Sequence, residues 1–176
     1  FVNSKVDGNV KVYNNTIDRL GVIHLMEKQF IGTVNYKGHN VEGLDLSNIK
    51  FSPPPSFAGL NCKNTDFSFS DLGWASFEKA NLENANLNNS NLNYANLRGS
   101  NLFNASIVQA NLNDSSLRGA IFDYANLTKS TFKRASIGSG GFLVGNHPAA
   151  SFKYANLDET NFRIFVPFFD SDIGSG

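Results

Sequence analysis

From residue 65 to residue 162 the chain restarts one pattern every five residues: a small residue, one outward residue, a large apolar residue and two variable positions. The stretch 80–102, ANLENANLNNSNLNYANLRGSNL, shows it most plainly. Taking the large residue as the centre of each unit, the centres step by five from Phe67 to Phe162. Nineteen of the twenty are large and apolar, His147 being the exception. Two residues before each centre stands Ala, Ser, Thr or Gly in all twenty units. This period fits neither an amphipathic helix, with apolar residues three and four apart, nor a half-buried strand, which alternates. It specifies a repeat architecture.

Residues two apart point to the same side of an extended segment. Each unit therefore reads as three extended residues followed by a two-residue corner. The small residue and the centre face inward; the residue between them and the two corner residues face outward. Such a chain winds into a coil that buries its apolar face only by stacking on the next, at about 4.8 Å. The small inward residues imply a narrow interior already filled by Leu and Phe. The 176 residues suit one domain. They carry fifteen basic and fifteen acidic side chains, which gives no general attraction to nucleic acid or anionic lipid. No apolar run approaches the roughly 20 residues of a membrane helix. No secretory or lipid-anchor signal is visible. The chain begins at Phe1 rather than Met, which reads as a processed or excised product.

The flanks add detail. VEGLDLSNIKF (41–51) carries two further units, centred on Leu46 and Phe51, one residue out of phase with the main array. The shift must be absorbed in SPPPS (52–56), read as a loop between an early coil and the main stack. Residues 15–30, NTIDRLGVIHLMEKQF, read as a short amphipathic helix with Asn15 or Thr16 as N-cap. It would cover the open N-terminal end of the stack, as repeat arrays require. Past the last unit, Phe165, Val166, Phe168 and Phe169 form an apolar tail. It serves as a C-terminal cap, a homodimer interface or the seam to a further domain. Residues 138–149, GSGGFLVGNHPA, are irregular yet keep the five-residue phase. Either they remain coil with His147 inward, or ten residues bulge out and Phe152 takes the vacated place. Four glycines and a proline favour the bulge. The resulting organisation is an N-terminal cap with a short helix (1–40), a repeat array (41–164) and a C-terminal cap or linker (165–176).

The sequence offers little chemistry. His24, His39 and His147 have neither a metal-ligand spacing nor a carboxylate partner at a motif distance. The single cysteine, Cys62, excludes a disulfide framework and falls on an inward position, where a thiol is inert. The carboxylates occupy outward positions with no pocket to raise a pKa. GSGG lacks the Lys-Ser/Thr of a phosphate loop. The expectation is no catalysis in this segment, no cofactor and no metal.

The unit of a small residue, Asn or Asp, Leu and two variable residues resembles the pentapeptide-repeat family over residues 65–162. That resemblance implies an all-β fold, a right-handed quadrilateral parallel β-helix with four units per coil and about five to six coils. The sequence departs from the most regular members in three respects. Asn outweighs Asp, Ile121 stands where a polar residue is usual, and 138–149 is irregular. With four units per coil, residues twenty apart stack. One outward column then runs Trp74, Tyr94, Asp114, Arg134, Tyr154, beside Gly73, Asn93, Asn113, Lys133, Lys153: an aromatic and basic stripe. A second runs Glu83, Phe103, Asp123, Leu143, Arg163, beside Asn84, Asn104, Tyr124, Val144, Ile164, and turns apolar toward the C-terminus. The Asn columns (Asn86, Asn91, Asn96, Asn101 and onward) read as structural, satisfying backbone corners or one another.

Three functions compete. The first is a rigid, non-catalytic protein-interaction scaffold that docks through Trp74, Tyr94, Arg134 and Tyr154, with Phe103, Tyr124 and Leu143 as the other candidate face; exposed aromatics are the best contact candidates. The second, implied by similarity to secreted effectors, is the recognition module of a larger bacterial effector such as a ubiquitin ligase. The third is a gyrase-binding DNA mimic, which resembles a strongly acidic rod. Residues 61–165 hold nine basic and eight acidic side chains, the wrong balance for imitating phosphates. The expected partner is another protein, with no nucleic acid and no membrane. The expected location is the bacterial cytoplasm or, after secretion, a host cell.

Overall fold

A computed structural model of the chain describes residues 12–13, 16–17, 41–52, 54–138 and 149–162. In the array, single-residue parallel bridges join residues twenty apart: Asn81 to Asn101, Asn86 to Ser106, Asn91 to Asn111 and Asn96 to Ser116. The winding therefore returns to the same side after four units, with one bridge per unit instead of a strand.

Each corner is a tight turn. In the Leu82 unit, the Ala85 N–H donates to the Leu82 carbonyl at 3.0 Å. Asn84, the second corner residue, has φ 58°, the left-handed conformation that the third residue of a type II turn requires. Neighbouring coils satisfy the rest of the backbone. The N–H groups of Leu82 and Asn84 reach the carbonyls of Asn101 and Phe103 at 2.7 and 3.0 Å.

The residue before the centre explains why Asn outweighs Asp. The Asn81 Oδ1 accepts the N–H of Glu83, the first corner residue, at 3.2 Å. It also accepts from the Asn101 Nδ2 of the next coil at 3.2 Å. Of Asn and Asp, only Asn both accepts and donates, so Asn can continue a ladder. Asp66 and Asp71 act as pure acceptors, receiving Asn86 Nδ2 at 3.1 Å and Asn91 Nδ2 at 2.8 Å.

The interior matches the pattern. The centres from Leu72 through Phe132 are fully buried, and so are the small residues between them. Serine is admitted there because its hydroxyl folds back: Ser90, Ser115 and Ser130 donate to the carbonyls of Leu87, Leu112 and Leu127 at 2.6–2.7 Å. Phenylalanines one coil apart stack face to face, Phe57 on Phe77 at 5.0 Å and Phe122 on Phe152 at 4.8 Å. Those centroid distances are the inter-strand spacing. Phe67 meets both Phe57 and Phe77 edge-on across the interior. Cys62 is buried, and desolvation pushes its thiol well above the ordinary range.

The N-terminal phase shift lies where the sequence puts it. Lys50 bridges Asp71, twenty-one residues on, whereas Ser56 bridges Ser76, twenty on. Val41, buried and bonded through its N–H to the Asn61 carbonyl, adds a unit beyond those centred on Leu46 and Phe51.

At the other end the spacing becomes thirty: Ile121 bridges Ser151, Asn126 bridges Asn156 and Thr131 bridges Asn161. The Ala150 N–H donates to the Ile137 carbonyl at 2.8 Å, the bond that closes an ordinary corner. The winding thus omits ten residues between Ile137 and Ala150, and Phe152 takes the place on Phe122. His147 lies outside the described residues, as do His24 and His39.

One expectation is corrected. Val12–Tyr13 (β1) and Thr16–Ile17 (β2) pair antiparallel, Val12 with Ile17 and Tyr13 with Thr16. The helix expected from residue 15 therefore does not include Thr16 or Ile17. Two asparagines between β-branched and aromatic residues suit a two-residue hairpin connection better than a helix start. The remainder of 15–30 and the tail at 165–176 lie outside the described residues.

Candidate docking surface

The outward candidates are gathered at two corners of the coil. At the first, Trp74 and Tyr94 stack with centroids 4.2 Å apart and planes 14° from parallel. Trp74 remains 65% exposed. The same column continues with Asp114 and Arg134, joined by a two-pronged ion pair in which Arg134 Nε lies 2.6 Å from Asp114 Oδ1. That hydrogen bond raises the Arg134 pKa and lowers that of Asp114; Tyr94 contributes a smaller upward effect on Arg134.

Tyr154 does not join this column. The change of spacing from twenty to thirty carries it to the second corner, where it stacks on Tyr124 at 5.0 Å. Tyr124 in turn meets Phe103 at 5.2 Å. The expected stripe thus loses its last member and the second face gains it. Lys153 moves likewise: its N–H donates to Asp123 Oδ1 at 3.0 Å, at that second corner. Ile121 is exposed in the unit that carries Tyr124. Leu143, together with Val144, Arg163 and Ile164, lies outside the described residues. Phe69, 61% exposed on a further corner, escaped the sequence reading because its column continues with Asn89, Gln109 and Lys129, none of them aromatic.

All these aromatics except Phe103 occupy left-handed positions: φ is 58° at Phe69, 63° at Trp74, 59° at Tyr94, 62° at Tyr124 and 57° at Tyr154. A bulky side chain there is strained, whereas Gly and Asn are not. Elsewhere the same conformation is taken by Asn84, Gly99, Asn104 and Gly119, and also by long polar residues such as Lys79, Gln109, Lys129 and Glu159. Folding therefore does not ask for aromatics at these corners.

Among the described residues no group of His, Cys, Asp or Glu is placed to hold a metal ion, and no helix is long and apolar enough to cross a membrane. The pentapeptide-repeat pattern matches eight copies over residues 56–84, 65–102, 80–119 and 100–137. Residues 56–137 match the pentapeptide-repeat family. Solved pentapeptide-repeat structures are similar to this chain. One, from the thylakoid lumen of Arabidopsis thaliana, is 24% identical over 57% of this chain and 70% of its own, with a TM-score of 0.38. QnrB1, a plasmid-mediated fluoroquinolone resistance protein, is 20% identical over 69% of each chain, with a TM-score of 0.43. Rfr23 from the cyanobacterium Cyanothece 51142 is 21% identical over 81% of this chain and 98% of its own, with a TM-score of 0.34. No curated protein matched the sequence. At these identities and scores the family assignment rests on the repeat itself.

Proposed function

We propose that this chain is a non-catalytic scaffold that docks another protein on the aromatic ladders of its corners. In this reading residues 41–164 form a right-handed, four-sided β-helix of five to six coils, flanked by 1–40 and 165–176. One observation carries it. Trp74, Tyr94, Tyr124 and Tyr154 are exposed on corners whose backbone favours Asn or Gly. Strained, exposed aromatics that folding does not require point to a contact, and Trp, Tyr and Arg are the residues that most often carry interface energy.

The test replaces Tyr94 and Tyr124 together by Asn, which suits both corners. The fold is expected to survive, because the relief of backbone strain offsets the lost stacking, each about 1 kcal/mol. Proteins captured by the parent and lost by the variant are then purified, and their affinities for both forms compared. A weakening of tenfold or more at unchanged melting temperature supports the proposal. Equal affinities refute it.

A further inference from the structure

One side of the coil differs from the other three. Its outward middle positions are Ser56, Ser76, Asn96, Ser116 and Ser136, stacked by parallel bridges. The corresponding columns elsewhere are mostly Asn. Serine is shorter than asparagine, so apart from Asn96 the floor of this side is lower than that of the others, a shallow trough along the axis of the stack. One wall is the Trp74–Tyr94 stack, continued by the Asp114–Arg134 pair. The other is Glu78, Arg98 and Arg118, the first residues of the next corner.

The charges of the trough are unbalanced. Arg118 Nε reaches Ser136 Oγ on the floor at 3.2 Å. Arg98 Nε is shielded from solvent yet has no hydrogen-bond partner. Asp114 is taken up by Arg134, and Glu78 accepts from Asn96 Nδ2. Lys79 and Lys133 stand on the outer shoulders. A chain of zero net charge thus gathers five cations and two carboxylates on this side.

We infer that the trough binds an acidic peptide segment of the partner, lying along the axis. Its carboxylates pair with Arg98 and Arg118, and an apolar side chain sits beside Trp74 and Tyr94. The inference rests on the docking reading above and names the chemistry of what docks. Guanidinium groups without a carboxylate select planar anions through two-pronged hydrogen bonds. The aromatic geometry favours a peptide over single-stranded nucleic acid. Bases need open ring faces to stack on, and Trp74 and Tyr94 each cover one face of the other.

The experiment measures fluorescence anisotropy of the intact chain with labelled peptides about a dozen residues long. Each carries one Phe and an increasing number of Glu in place of Gln; labelled oligothymidylate is the nucleic-acid comparison. Binding is expected to strengthen with each Glu and to weaken with salt, as charge pairing requires. Arg98→Gln combined with Arg118→Gln is expected to weaken it roughly tenfold or more. Lys50→Gln combined with Lys129→Gln, which removes equal charge outside the trough and both aromatic corners, is expected to leave it unchanged. Melting temperatures accompany every variant, and Arg118→Ser serves if the double variant unfolds. Affinity independent of Glu content, equal losses from both double variants, or tighter binding of oligothymidylate overturns the inference. If the Tyr94 and Tyr124 replacements abolish partner binding while the arginine variants retain it, the docking reading stands and the acidic ligand falls. If the tyrosine replacements have no effect, the docking reading itself fails.

Discussion

Leu97→Ala tests the stack where it is most regular. Leu97 is 0% exposed. The Phe77 N–H reaches the Asn96 carbonyl at 2.7 Å and the Leu97 N–H reaches Ser116 at 2.8 Å, so Leu97 sits in one column between Phe77 and Leu117. Alanine leaves these backbone bonds intact, and the loss is therefore one of packing. Removing three buried carbons forfeits about 2.4 kcal/mol of transfer free energy at about 0.8 kcal/mol per methylene. A partly relaxed void of about 50 Å³ adds about 1 kcal/mol. The expected cost is thus about 3–4 kcal/mol, inside the range of about 2–5 kcal/mol for such truncations. Coils on both sides lean on this residue, so little of the void can close. Equilibrium urea unfolding followed by Trp74 fluorescence and circular dichroism measures it, with the slope required to stay constant. Leu157→Ala is the control: the same register, but 39% exposed near the end of the described stack, and expected to cost less than half as much. A Leu97 variant as stable as the parent, or no difference between the two sites, would refute the phase of the repeat.

Three further predictions follow from the same geometry. Ala110 stands in the column of Ser90 and Ser130; Ala110→Ser should change stability by less than about 0.5 kcal/mol because the hydroxyl can bond the Ile107 carbonyl as its neighbours bond theirs, whereas Ala110→Leu should cost about 1–3 kcal/mol. Both are read from urea midpoints, and full tolerance of Leu would contradict the narrow interior. Deleting residues 139–148 should leave a regular corner, since the Ala150 N–H already reaches the Ile137 carbonyl; retained circular dichroism and cooperative melting are expected, and collapse of the fold would show the register to be wrong. The Asp114 carboxyl is held low by Arg134, so the pair's contribution is complete above the ordinary carboxylate pKa and disappears as pH falls through the lowered folded value. The effect on stability is small because the pair is exposed. Carboxyl NMR titration should show Asp114 protonating at lower pH than it does in the Arg134→Gln protein, and equal titrations would remove the pair.

What the residues determined by themselves is everything tied to the five-residue period. The inward positions, the choice of Ala or Ser beside each Leu or Phe, the structural role of the Asn ladders and the phase shift before Phe57 all follow from local geometry repeated many times. What only the tertiary structure decided depends on which coil lies next to which. Ten residues are two whole units, so their omission between Ile137 and Ala150 leaves the five-residue count untouched. They are also half a coil, so the same omission moves Tyr154 from Arg134 to Tyr124. The left-handed corners were hidden for a related reason. Stacking imposes φ near 60° on Trp74 and Tyr94 as on Asn84, and nothing local to an aromatic residue announces that conformation. The hairpin of β1 and β2 shows the converse limit: a short apolar period near Ile17 fits a helix on paper, but four residues paired across two asparagines adopt the strand conformation. A periodic sequence records the coil it must close; which side of that coil each residue occupies is recorded only by the coils stacked against it.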